Sequence, residues 1–218
     1  MTKRKDIVDG SKAKGRKYGL IYTRKCGWVD LGHANPAGAL DLWQRVYHER
    51  GHKIFGRDDQ DYYRIEYKQM MGNNYIKVGI SSNFKVKKGL SLAQKKSVAL
   101  AIFLNVSRDF EGMQGNIFFR QFTDSGYSAE DLVSNLIGFY RAVNPSQNYL
   151  KQCNPVSKKE ALYVWDTYGA VGKYKNKTTS PYIFPTNPNL KVKPKKMMLP
   201  NIFTKITPMK KGELFQRY

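Results

Sequence analysis

The sequence predicts an α+β fold: a helical core of about four helices, a small antiparallel hairpin sheet and an irregular basic C-terminal wrap. Three observations carry this. Apolar residues recur at helical spacing behind start signals at four places. The stretch from Asp61 to Met71 alternates with a period of two. From Val171 onward the composition shifts to proline and lysine, with six of the nine prolines at 181, 185, 188, 194, 200 and 208.

Residues 1–17 hold Lys3, Arg4, Lys5, Lys12, Lys14, Arg16 and Lys17 and read as a flexible basic arm. A single α+β core domain is expected over 18–170. Tyr18 to Thr23, aromatic and β-branched, is a short strand. Asn35 can cap a helix with Pro36 at its first position, and Ala39, Leu40, Leu42, Trp43 and Val46 give it an apolar face ending near Gly51. Asp61–Met71 and Tyr75–Ile80 form a hairpin around Gly72-Asn73-Asn74. Phe84–Lys88 reads as a further strand. Ser91-x-x-Gln94 is a capping box, opening a helix to about Phe110 that is apolar nearly all round and therefore buried. Ser128-x-x-Asp131 opens a helix whose inner face holds Leu132, Leu136, Ile137 and Phe139. Ser157-x-x-Glu160 opens another, through about Tyr168. In the 171–218 segment Tyr182, Phe184, Phe203 and Phe215 imply a wrap packed on the core.

The totals restrict function. The 218 residues carry Lys+Arg 38 against Asp+Glu 17, a formal net charge of +21. Such an excess favours an anionic partner: a cell-wall polymer, another polyanion or acidic lipid. The longest apolar run, Val98–Val106, falls short of the ~18–20 residues a membrane span requires. No secretory signal is expected from the N-terminus. Cys26 and Cys153 read as two unrelated thiols, with one disulfide as the alternative.

Three places have residues suited to chemistry. In Tyr22-Thr23…Gly27-Trp28-Val29-Asp30-Leu31-Gly32-His33, Asp30 and His33 precede a helix N-terminus, and a carboxylate beside an imidazole can orient it. Alternatively, the two residues only shape the loop. Glu111 lies at the end of the buried helix, where partial desolvation raises a carboxyl pKa and suits general acid–base work. The alternative is a surface glutamate paired with Arg108 or Arg120. In the third, Ser128, Glu130 and Asp131 start a helix, and Asn135 lies one turn beyond Asp131 on the same face. His48 and His52 have the i, i+4 spacing of a metal pair but lack a third ligand. HExxH, Walker, GxSxG and zinc-ligand signatures are missing, so no metal or other cofactor is expected.

Three segments together, YGLIYTRKCGWVDLGHA, VSRDFEGMQ and DSGYSAEDLVSNLIGFYRA, resemble a family of bacterial, often envelope-associated proteins classed as a domain of unknown function. The resemblance spans about residues 18–143 and rests on YT…GxxDLGH and SxEDLxSNxxG. Phe110 stands where the resemblance places a second histidine, which argues against a His-His-Glu metal set and leaves His33 with Glu111. The resemblance implies that Asp30, His33, Glu111, Asp131 and Asn135 act as one site.

The favoured expectation is a toxin or effector-like hydrolase of the cell envelope, with peptidoglycan as its first substrate. Glu111 would be its general acid or base and Asp30–His33 the partner. Tyr22, Thr23, Trp28, Ser128, Glu130, Asp131 and Asn135 would bind or support. Such a protein would be exported without a signal peptide, act in the periplasm of a target bacterium and be neutralised by an acidic immunity protein. A non-enzymatic nucleic-acid-binding protein is the alternative. A lipid-directed enzyme or membrane-surface binder ranks third.

Overall fold

The structure, a computed structural model, describes residues 2–52, 60–72, 77–114, 127–187 and 192–218. The predicted α+β class is what it shows. The described helices are α1 (Ala37–His48), α2 (Leu92–Gln114), α3 (Asp131–Val143), α4 (Tyr149–Gln152) and α5 (Lys158–Tyr168). The strands are β1 (Leu20–Thr23), β2 (Gly27–Asp30), β3 (Tyr62–Gly72), β4 (Lys77–Lys87), β5 (Tyr182–Ile183), β6 (Lys195–Lys196) and β7 (Phe215–Arg217). They form three small antiparallel sheets: β1-β2, β3-β4-β7 and β5-β6.

The helix starts follow local chemistry, with some shifts. Asn35 Oδ1 accepts the Ala37 N–H at 3.0 Å, and α1 begins at Ala37, with Pro36 rather than Asn35 at the capping position. It ends at Glu49 rather than near Gly51. Glu49 holds a left-handed φ of 55°, and its carboxylate is anchored by Lys95 and by the Gly89 N–H. Both capping-box bonds of Ser91 and Gln94 form. The helix they open, α2, continues beyond Phe110 to Gln114, so Glu111 lies inside its last turn. Ser157 and Glu160 form the box that opens α5. By contrast, α3 begins at Asp131 instead of just after Ser128, although the Asp131 carboxylate takes the Ser128 N–H at 2.7 Å, as in one half of a capping box.

The hairpin places Tyr63, Ile65 and Tyr67 inward against α2, with Arg64, Glu66 and Lys68 on the other face. Phe84–Lys87, expected as a separate strand, is the end of β4, and β7 pairs with it. Asn73, Asn74 and Tyr75, expected around the turn, lie outside the described residues, as does Arg120.

Both chain ends pack on the core. Residues 2–17, expected as a flexible arm, lie along β1. Ile7 is fully buried, and the Val8 N–H donates to the Leu20 carbonyl. Further ties are spread along the segment: Arg4 pairs with Asp166, the Gly10 N–H donates to the Val156 carbonyl, and Ala13 is buried, and together they offset the conformational entropy of ordering it. At the other end Phe184, Phe203 and Phe215 are buried, as the wrap requires. Cys26 and Cys153, expected to be unrelated, are buried neighbours, both free. The Cys153 thiol is pushed up by Cys26 and by burial. Among the described residues no helix is long and apolar enough to cross a membrane.

Candidate functional site

Two of the sequence motifs meet at one point. The β1-β2 hairpin delivers the loop Asp30–Ala34 onto the first turns of α3. Asp30 Oδ1 accepts the N–H groups of Gly32 and His33, at 2.7 and 3.2 Å. The Asp30 N–H donates to Ser134 Oγ of α3 at 3.0 Å. Gly138 completes the contact, since a Cβ there would stand 2.8 Å from the His33 carbonyl oxygen and 3.1 Å from that of Asn35. Arg141 reaches back to the Ala34 carbonyl. In SxEDLxSNxxG, therefore, Ser134 and Gly138 hold the loop that carries His33.

The imidazole held this way faces Asp131, not Asp30. His33 Nδ1 lies 3.6 Å from Asp131 Oδ1, too long for a hydrogen bond. The expected Asp30–His33 pair is thus a backbone arrangement: Asp30 shapes the loop, and Asp131 is the carboxylate at the ring. From the other side α2 brings Glu111. Ligand atoms of His33, Glu111 and Asp131 all lie within 4.8 Å of one another. Glu111 is fully buried, which removes the alternative of a surface glutamate. Its Oε2 accepts the Tyr127 N–H at 3.1 Å, while Oε1 has no partner. Glu130, also buried, accepts from Thr2 through Oε1 and leaves Oε2 unpartnered.

Burial governs the electrostatics. It lifts the Glu111 pKa from an ordinary 4.5 to about 7, against the lowering effect of the Tyr127 N–H. It raises Asp131 too, reinforced by the Glu111 charge and opposed by His33. Glu130 is raised by burial and by the Asp131 charge. Three acids crowded away from water cannot all ionise cheaply, so in this state protons remain among them near neutral pH.

The cluster opens to the outside. A cavity of about 560 Å³ has Asp30, His33, Glu130 and Asp131 among its lining residues, together with the basic Lys5 and Arg16. A smaller one, about 190 Å³, touches His33, Glu111 and Asn135. The His33 side chain is 36% exposed. Buried acids and an accessible imidazole therefore share one opening, an arrangement that can hold and transfer protons or bind a cation.

The remaining sequence candidates are placed elsewhere. Ser128 lines the larger cavity and donates its N–H to Asp131. Tyr22, Thr23 and Trp28 build the hairpin's packing instead of the site. The Tyr22 hydroxyl donates to the Phe184 carbonyl and accepts its N–H, both at 2.7 Å. Thr23 Oγ1 donates to the Gly27 carbonyl and accepts the Cys26 N–H within the turn. Trp28 packs edge-on against Tyr22 and Trp165. His52 Nδ1 accepts the Glu66 N–H, so the His48–His52 spacing does not make a metal pair. Lys5, Arg16 and Thr2 lie at the cavity although nothing in their local sequence pointed there; only the docking of the N-terminal segment brings them in.

Fold and site define a mixed α+β protein with a buried carboxyl–imidazole cluster beneath an open cavity. Residues 3–160 match the family described as Protein of unknown function (DUF4056), and the chain belongs to it. His33, Glu111, Glu130 and Asp131 all fall within the matched span. No curated protein matches the chain. No solved structure matches it either.

Proposed function

We propose that the protein is a hydrolase of the bacterial cell envelope, with peptidoglycan as its first substrate and the His33–Glu111–Asp131 cluster as its centre. The observation that carries the reading is the convergence of a fully buried carboxyl group, held near pKa 7, with a second buried carboxyl and an accessible imidazole. Groups titrating near neutral pH can both take and give a proton in one cycle.

The spacing narrows the bond. Glycosidases place two carboxyl groups on either side of the sugar linkage, about 6.5–9.5 Å apart in inverting enzymes and about 5–5.5 Å in retaining ones. Glu111 and Asp131 offer ligand atoms within 4.8 Å of each other, closer than the inverting arrangement requires. The pair therefore suits either the retaining arrangement or attack of an activated water on a carbonyl, as in an amide or ester of the wall peptide. The basic Lys5 and Arg16 at the cavity suit a substrate bearing carboxylates. The acidic floor disfavours a phosphate backbone at the same place.

The test compares cytosolic expression with expression directed to the periplasm, for wild type, His33→Ala and Glu111→Ala. Purified protein is assayed in parallel on labelled peptidoglycan. Periplasm-only toxicity and release of label, both lost in the variants, are expected. Intact peptidoglycan with harmless periplasmic protein would overturn the reading. Toxicity in the cytosol alone would favour the nucleic-acid alternative.

A further inference from the structure

The structure assigns a divalent-cation site to this cluster: we infer that His33 Nδ1, Glu111 Oε1 and Asp131 Oδ1 bind one first-row cation of the zinc or manganese type. The inference deepens the proposed function, since it supplies the group that would activate water there, and rests on that reading only for the cation's role.

The arrangement of lone pairs carries it. Each carboxylate is tied by one oxygen to a backbone N–H, Glu111 to Tyr127 and Asp131 to Ser128. Each thereby has its other oxygen available toward the cluster. The His33 ring is placed by its own loop, whose N–H groups Asp30 holds, and its Nδ1 is buried without a hydrogen-bond partner. Glu111 is fully buried, and its Oε1 is likewise unpartnered. Two ligands about 2.1 Å from a tetrahedral ion stand about 3.4 Å apart. The observed separation of His33 Nδ1 and Asp131 Oδ1 is 3.6 Å. The Glu111 oxygen, within 4.8 Å, needs a shift of at most about 1.4 Å to complete such a set.

A second observation concerns the whole chain. In a protein with a formal charge of +21, the buried charged side chains among the described residues are Glu111, Glu130 and Asp131, all acids at one point. Buried charges are normally paired or coordinate metals. One imidazole with two carboxylates is a mixed N/O set, which suits zinc or manganese better than calcium or magnesium. The partly exposed His33 and the 560 Å³ cavity leave a fourth position for water or substrate. The second histidine suggested by the sequence resemblance is replaced by Phe110, and Asp131 from α3 supplies the third ligand instead.

The test uses the full chain, stripped with chelator and dialysed against zinc or manganese chloride. Bound metal is counted by elemental analysis and affinity measured by calorimetry. One equivalent is expected, with a raised melting temperature and at least a tenfold loss of affinity in Glu111→Gln, Asp131→Asn and His33→Ala. His48→Gln, at the exposed end of α1, should bind like wild type. The visible spectrum of a cobalt-loaded sample reports the ligand set without relying on stability. Circular dichroism identifies any variant that fails to fold, and for it the cobalt spectrum of wild type decides. Substoichiometric binding, or binding unaffected by the variants, overturns the inference. Stoichiometric binding without peptidoglycan cleavage sinks the hydrolase reading and leaves the cation site standing. Cleavage that survives complete chelation overturns the cation's role in activating water, while the binding data alone decide the site.

Discussion

Replacing Glu111 by glutamine is expected to stabilise the cation-free protein at pH 8 and to leave it nearly unchanged at pH 5. Burial lifts the Glu111 carboxyl from 4.5 to about 7. The folded state then keeps a proton that the unfolded chain has released. The stabilising contribution of that protonation is fully present below about pH 4.5 and is lost as the pH rises through 7. The gap corresponds to about 3 kcal/mol. Glutamine keeps the shape, its carbonyl can still accept the Tyr127 N–H, and its amide can donate toward Asp131 as the protonated acid would. At pH 8 the variant should exceed wild type by about 3 kcal/mol, or roughly 6–12 °C in melting temperature for a chain of this length. Urea or thermal unfolding of chelator-treated protein from pH 5 to 8 measures it. If both proteins lose stability equally over that range, or glutamine is the weaker at pH 8, Glu111 is not the buried, proton-holding group described.

Other outcomes follow from neighbouring contacts. Gly138→Ala pushes a methyl to within 2.8 Å of the His33 carbonyl; overpacking of this kind costs about 1–3 kcal/mol, and the displaced loop should weaken both cation affinity and hydrolysis, read by unfolding and calorimetry. Tyr22→Phe leaves the buried N–H and C=O of Phe184 without their shared partner and should cost about 1–3 kcal/mol, with cation affinity unchanged. Asp30→Ala frees the Gly32 and His33 N–H groups; it should lower affinity for the cation several-fold while Asp30→Asn, which keeps the acceptor, restores most of it.

Local chemistry made the elements readable and left their meeting points hidden. Capping at Ser91 and Ser157 depends on residues three positions apart, so the start of α2 and of α5 could be read directly. The alternation from Tyr63 to Tyr67 likewise gave the inner face of β3. Glu111 was legible as unusual because it is an acid at the C-terminal end of a helix whose preceding turns are apolar. The partner of His33 was not. Asp30 lies three residues from His33 in sequence and looked like the orienting acid. A turn brings Asp30 to the backbone instead, and Asp131, about a hundred residues on, reaches the ring. The fate of the N-terminal segment was hidden for a related reason. Its composition is that of a solvated arm, and contacts with residues distant in sequence, Leu20, Val156 and Asp166, hold it to the core.

The charge of the chain and the charge of its site act at different distances, which is why they can oppose each other. Exposed lysines and arginines are screened within about 8–10 Å at physiological salt. They set which large molecules approach, and they favour anionic polymers. Inside the cluster screening is weak, and interactions between groups a few ångströms apart dominate. Glu111, Glu130 and Asp131 there disfavour each other's ionisation, and either protons or a cation can relieve that. With protons the cluster is a neutral, partly satisfied core with two carboxylate oxygens left over. With a divalent cation the Glu111 and Asp131 charges are balanced and the unpartnered Oε1 and Nδ1 atoms are used. Under the function and cation site proposed above, a basic exterior would gather anionic polymer and an acidic interior would retain one cation, the first supplying substrate and the second the group that acts on it.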